Sequence, residues 1–211
     1  MNSHTTPLNN PAATAYVDRV TAELAAQIPD SRFSYVVTVV KDDVRPEPVV
    51  LPGGFIYVST GMFAAAQSES EFAGLLARAM ADVAQRAATR LVTREEVTQI
   101  ATLPLISMEG WQGDAVRKGM GMAIPQGMQV FKRKQTMDSD ALAVKTMAAA
   151  GYSPADLARF VERTAKDDGL RGWQESQASR AAAIREAAAQ STMAPHGDDA
   201  EFARLRETLA H

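Results

Sequence analysis

The chain has 211 residues, 46% of them hydrophobic and 22% charged, with a net charge of −3; this is the make-up of a folded protein able to bury its own core, and it argues against nucleic acid as a partner. There is no cysteine, which excludes disulfides, thiolate metal sites and a cysteine nucleophile. The three histidines are His4, His196 and His211, two of them at the ends of the chain, so a metal site built on histidine is not expected.

Residues 1–12 read as a mobile polar tail ahead of a single domain over residues 13–211. The tail has neither the basic nor the apolar region of a signal peptide. No apolar run approaches the ~18 residues that cross a bilayer. Tyr16, Val17, Val20, Leu24 and Ile28 recur at helical spacing, and Pro29 with Asp30 predicts the end of that helix. Phe33 to Val40 alternates and is rich in β-branched residues, which predicts a strand. Val49 to Leu51 and Phe55 to Val58 predict two more strands around Pro52, Gly53 and Gly54. Pro48 and Pro52 place this hairpin at a sheet edge, where a missing N–H is tolerated.

The remainder reads as helix. Ser68 with Glu71 is a capping-box pattern opening a helix over about residues 69–89, and Thr93 with Glu96 opens a shorter one. Residues 104–126 carry prolines, glycines and methionines and predict irregular or broken helix. A long helix is expected over about residues 128–150, stopped by Gly151. Ser153 and Pro154 open the next, and helices near 173–190 and 199–209 close the chain. The expected fold class is α+β and mostly helical: a small mixed or antiparallel sheet from residues 33–58 packed on the 69–89 and 128–150 helices.

Four segments stand in an informative order: LPGGFIYVSTGMF (51–63), SESEFAGLLARAMADVAQR (68–86), MDSDALAVKTMAAAGYSP (137–154) and STMAPHGDDAEFARLRE (191–207). Together they resemble the zinc metallopeptidases of the CAAX prenyl protease, HtpX and BepA type, peptidase family M48. The resemblance runs over about residues 12–208, and the glycines and prolines at matching offsets in the first and third segments carry it. It implies a zincin-like domain in which two histidines of an HExxH helix and a glutamate of a second helix bind zinc. The glutamate inside HExxH activates the metal-bound water.

Carried onto this sequence, the resemblance places the metal-ligand positions at Arg78, Asp82 and Asp138 and the general-base position at Ala79. Asp140 falls on a position beside the metal ligands, Met193 on the histidine of the late motif, and a downstream arginine position near Glu201. A guanidinium stays protonated and offers no lone pair, and alanine accepts no proton. The expectation is therefore a degenerate member with no metal, no cofactor and no catalytic residue. Arg78 and Asp82 are expected either as a solvated i, i+4 ion pair or as a cluster in which Arg78 bridges Asp82 and Asp138.

The resemblance also implies that Leu51, Gly53, Gly54 and Phe55 line a cleft edge able to pair with a peptide as an added strand, which needs only free backbone groups; otherwise Gly53 and Gly54 make a tight bend and nothing more. Met108, Met120, Met122 and Met128 read as core filler. Trp111 reads as a core residue or a lid anchor. Lys132 to Lys134 read as a solvated helix face, and no motif supports Ser/His/Asp catalysis. The function expected is a catalytically inactive peptidase-like domain holding a peptide or protein partner in the former cleft. The alternative is a structural or regulatory scaffold with an occluded cleft, and an active hydrolase ranks last. The resemblance points to the bacterial envelope or periplasm, and the oligomeric state stays open.

Overall fold

The computed structural model describes residues 7–28, 34–85, 93, 111–164, 177–191 and 199–209, with residues 111–130 and Gln177 described as backbone only. Chain order gives α1 (Pro11–Ala25), β1 (Val36–Val40), β2 (Val49–Leu51), β3 (Phe55–Ser59), α2 (Thr60–Ala65) and α3 (Glu69–Ala84). Then follow α4 (Trp111–Ala150), α5 (Pro154–Thr164), α6 (Gln177–Ala189) and α7 (Asp199–Leu209). The fold is mostly helical with one small mixed sheet.

Each element has a local cause. Asn10 caps α1 by accepting from the Ala13 N–H at 3.1 Å, and Pro11 supplies a preset φ at the first helical position. The α1 stripe Tyr16, Val17, Val20 and Leu24 is buried. Ser59 ends β3 and caps α2, its hydroxyl accepting from the Met62 N–H at 3.0 Å. Ser68 caps α3 through the Glu71 N–H at 3.1 Å, while the Glu71 carboxylate accepts from the Gln67 N–H at 2.8 Å and from Arg163 of α5. The capping box thus also fastens α3 to α5.

The sheet order is β1-β3-β2, with β1 parallel and β2 antiparallel to the central β3. Gly53 and Gly54, at φ of 94° and 93°, turn the chain between β2 and β3 in a region that L side chains rarely enter. Ile56, Val58 and Val39 face inward on one hydrophobic cluster shared by the sheet and the helices. At its heart Tyr16, Phe63, Phe72 and Phe202 meet with ring centroids 4.6–6.3 Å apart. Burying each such ring stabilises by roughly 1.5–3 kcal/mol.

Four expectations change. Residues 7–12 are part of the fold rather than a tail, since the Leu8 N–H donates to the Val39 carbonyl at 2.9 Å and Pro7 bridges Val40. Phe55 opens the central strand, paired on both sides, so of the proposed cleft edge only Leu51 lies on an edge strand, and Gly53 and Gly54 form the turn. Helix α4 begins at Trp111 and runs through Pro125 and four glycines, where broken helix was expected. Elongating an existing helix needs no new nucleus, so each breaker weighs singly and does not by itself stop it. The bridge from Arg78 to Asp138 is the fourth and belongs to the site. Glu96 of the Thr93–Glu96 helix start, His196, Met193, and the side chains of Trp111 and of the four methionines lie outside the described residues.

Candidate functional site

Helix α3 carries Arg78 and Asp82 one turn apart, so both point to the same side. Helix α4 runs beside α3 and brings Ser139 and Asp140 to that side, both buried. Helix α6 lies against α4 and adds Arg180. The loop before β2 adds Glu47. Ala79 is 2% exposed and lies in the hydrophobic core.

Asp140 is the centre of the arrangement. Arg180 grips it with two parallel donors, Nε to Oδ2 at 2.5 Å and Nη2 to Oδ1 at 2.8 Å. Such a fork is the strong form of a charge-assisted bond. Both groups are nearly buried, with side-chain exposures of 12% and 6%. Burial works against the Arg180 charge, but the bonds to Asp140 and its charge outweigh it and hold the guanidinium protonated above its ordinary range. Arg78 approaches the same carboxylate from α3, with Nε 3.2 Å from Oδ1 but outside hydrogen-bonding geometry. Its Nη1 lies 3.7 Å from Glu47 Oε2.

Asp82 is the second carboxylate. Burial pushes it above the ordinary carboxylate range, partly offset by the Arg78 charge and then by the Ser139 hydroxyl. That hydroxyl has no partner meeting full hydrogen-bond geometry.

The expected site residues thus separate. Arg78, Asp82 and Asp140 converge. Asp138 is exposed and Asp140 takes the place expected for it, because a residue two positions away on a helix faces a different side. Three participants were not foreseen: Arg180, Glu47 and Ser139. Arg180 left one signal, its position four and seven residues before Ile184 and Ala187, which lie on the inward side of α6. Glu47 left none, since a loop residue has no periodicity to read.

Chemically, two guanidiniums surround two carboxylates in a half-dry setting. Asp140 cannot act as a base while both its oxygens are held by Arg180. The arrangement can tie together α3, α4, α6 and the β2 approach. A cavity of about 130 Å³ beside the pair is walled by apolar side chains, among them Met137, Val144 and Ile184. Among the described residues no group of three or more histidines or carboxylates could hold a metal ion.

A sequence profile of peptidase family M48 matches residues 11–207. A Vibrio cholerae serotype O1 protein, named as a beta-barrel assembly-enhancing protease, is 25% identical over 168 residues, covering 76% of this chain and 34% of its own length. A mitochondrial metalloendopeptidase of Schizosaccharomyces pombe is 27% identical over 161 residues, covering 75% of this chain and 46% of its own. The chain therefore spans between a third and a half of these relatives.

Proposed function

The chain belongs to peptidase family M48, and from that premise we propose that it is a peptidase-like domain without peptidase chemistry, which holds a peptide or protein partner in the former substrate cleft. The observation that carries the reading is the Arg180–Asp140–Arg78 cluster on the faces of α3 and α4 where the resemblance puts the metal. These residues do not fit a zinc ion. Among the described residues the carboxylates at the site, Asp82, Asp140 and Glu47, do not form a metal-holding group, Asp140 already binds Arg180, and a dication would meet two fixed cations. Ala79 leaves no general base in the frame. The residues Arg78, Asp82 and Asp140 are in this reading substitutes at a lost site, with no cofactor.

The binding half of the proposal rests on β2. Its outer side is a sheet edge, and among the described residues no strand pairs with it. Free backbone groups on an edge accept an added strand whether or not the neighbouring chemistry survives. Val49 to Leu51 are half-buried, so an added strand there would cover apolar surface as well.

A second reading has its own observation. Arg180 reaches into the site and is 12% exposed, which favours a scaffold or regulatory subunit whose former cleft is filled.

Purified protein given equimolar zinc and a casein substrate should show no chelator-sensitive cleavage, and affinity selection from random hexapeptides should recover bound sequences. Stoichiometric zinc together with chelator-sensitive cleavage would refute the proposal. Recovery of no peptide would leave the scaffold reading in its place.

A further inference from the structure

We infer that Arg78 is an anchor for the terminal carboxylate of a peptide paired along β2. The inference rests on the peptide-binding reading above and names the chemistry by which the ligand is held. It starts from an imbalance of donors and acceptors. A guanidinium carries five N–H donors. Among the described residues, those of Arg78 make no hydrogen bond, although the side chain is only 21% exposed. Asp140, its nearest acceptor, spends its good directions on Arg180 at 2.5 and 2.8 Å. Glu47 stands at 3.7 Å, too far for a hydrogen bond, and its side chain is 50% exposed and free to swing away.

A half-buried cation with unfilled donors is a site awaiting an acceptor. Position decides which acceptor. Arg78 lies beneath the approach to β2, since Glu47 sits two residues before Val49. A strand laid antiparallel to β2 would therefore end over Arg78, and its last group is a carboxylate. That carboxylate would displace Glu47 and take two parallel N–H donors, the geometry the guanidinium fork prefers. Asp140, 3.2 Å from Nε, and Asp82, one turn along α3, already lie near the guanidinium. They repel a second negative charge, so a monoanion suits the site and a phosphate dianion does not.

The test uses the full chain and two matched pools of random hexapeptides, one ending in a free carboxylate and one in a carboxamide. Fluorescence anisotropy should show the acid pool binding at least about tenfold more tightly, the order expected of one charge-assisted fork. Arg78→Gln should abolish the acid preference and keep the carboxamide affinity. Glu47→Gln, a change at a 50% exposed position that only approaches Arg78, should raise acid affinity alone, and it keeps the test decisive if the Arg78 variant folds poorly. Equal affinity for the two pools, or an unchanged preference in either variant, overturns the anchor and leaves peptide binding standing. Binding of neither pool overturns both.

Discussion

Asp140 is the residue on which the site depends, because both guanidiniums converge on its carboxylate. Asp140→Asn removes the carboxylate that both Arg180 and Arg78 approach, which should cost about 3–5 kcal/mol of stability, the range for breaking a buried ion pair by removing one partner. Urea unfolding at pH 7 measures it. The double variant Asp140→Leu with Arg180→Met removes both charges and should recover most of the loss, since buried ion pairs often break even against packed apolar residues. Asp82 behaves differently. Its folded-state carboxyl sits above the ordinary value of 3.8 because burial disfavours the charged form. The folded protein therefore binds this proton more tightly than the unfolded chain, a stabilising contribution present below pH 3.8 and lost as pH rises through the folded value. Asp82→Asn should raise stability at pH 7 relative to the parent, with the difference shrinking towards pH 3.8; an equal difference across a urea series from pH 3.5 to 7 would refute the assignment. Sequence reading reached Arg78, Asp82 and Asp140 through the family resemblance, and helical spacing added only that Arg78 and Asp82 share one side of α3. It placed the bridging carboxylate at Asp138, because a sequence match of two residues carries no rotation about a helix axis.

At the scale of elements, the join between β3 and α2 shows a constraint that no sequence pattern displays. Ser59 donates to the Arg45 carbonyl at 2.5 Å, Thr60 donates to Asp43 Oδ1 at 2.5 Å and accepts from the Asp42 N–H, and the Gly61 N–H donates to the Asp42 carbonyl at 2.9 Å. The loop from Asp42 to Arg45 therefore wraps the helix start. A Cβ on Gly61 would stand 2.8 and 2.9 Å from the carbonyl oxygens of Arg45 and Asp42, which are backbone and cannot turn aside. Gly61→Ala should cost about 1–3 kcal/mol despite the better helix propensity of alanine, and thermal unfolding would detect it as a lower midpoint with an unchanged far-ultraviolet spectrum. The start of α3 was legible because Ser68 acts on a neighbour three residues away, whereas α2 and its cap Ser59 were not foreseen. The order β1-β3-β2 was not, because pairing a strand with the one two elements later depends on long-range packing. The extension of α4 to Trp111 was not legible either, since cooperativity along 40 residues outweighs the glycines and Pro125 that mark the segment as broken.

At the scale of the molecule, the opposite end of α3 from the candidate site is held by a second charge hub, and the two hubs differ in what they predict. Arg19 of α1 donates to Glu69 Oε1 of α3 at 2.9 Å, to Glu201 Oε2 of α7 at 2.7 Å and to Glu23 within its own helix. It also lies 5.1 Å from the centre of the Tyr16 ring, over the aromatic heart of the core. Glu69 is fully buried, and its N–H donates to Asp199 at the start of α7 at 2.9 Å. One arginine thus joins the first, middle and last described helices, and the charges it faces are 50 and 182 residues away in sequence. The first hub gathers side chains where the family resemblance puts chemistry. The second gathers them where α1, α3 and α7 are joined, so its loss should loosen α7 before it disturbs α3 or α4. Arg19→Met takes the guanidinium from the buried Glu69 carboxylate and should cost roughly 3 kcal/mol, the low end for a buried charge because Arg19 is itself 37% exposed. Amide hydrogen exchange should accelerate first over residues 199–209 while residues 139–147 stay protected. Uniform acceleration across both segments would show instead that α7 is no separate unit and that the hub holds the whole fold at once.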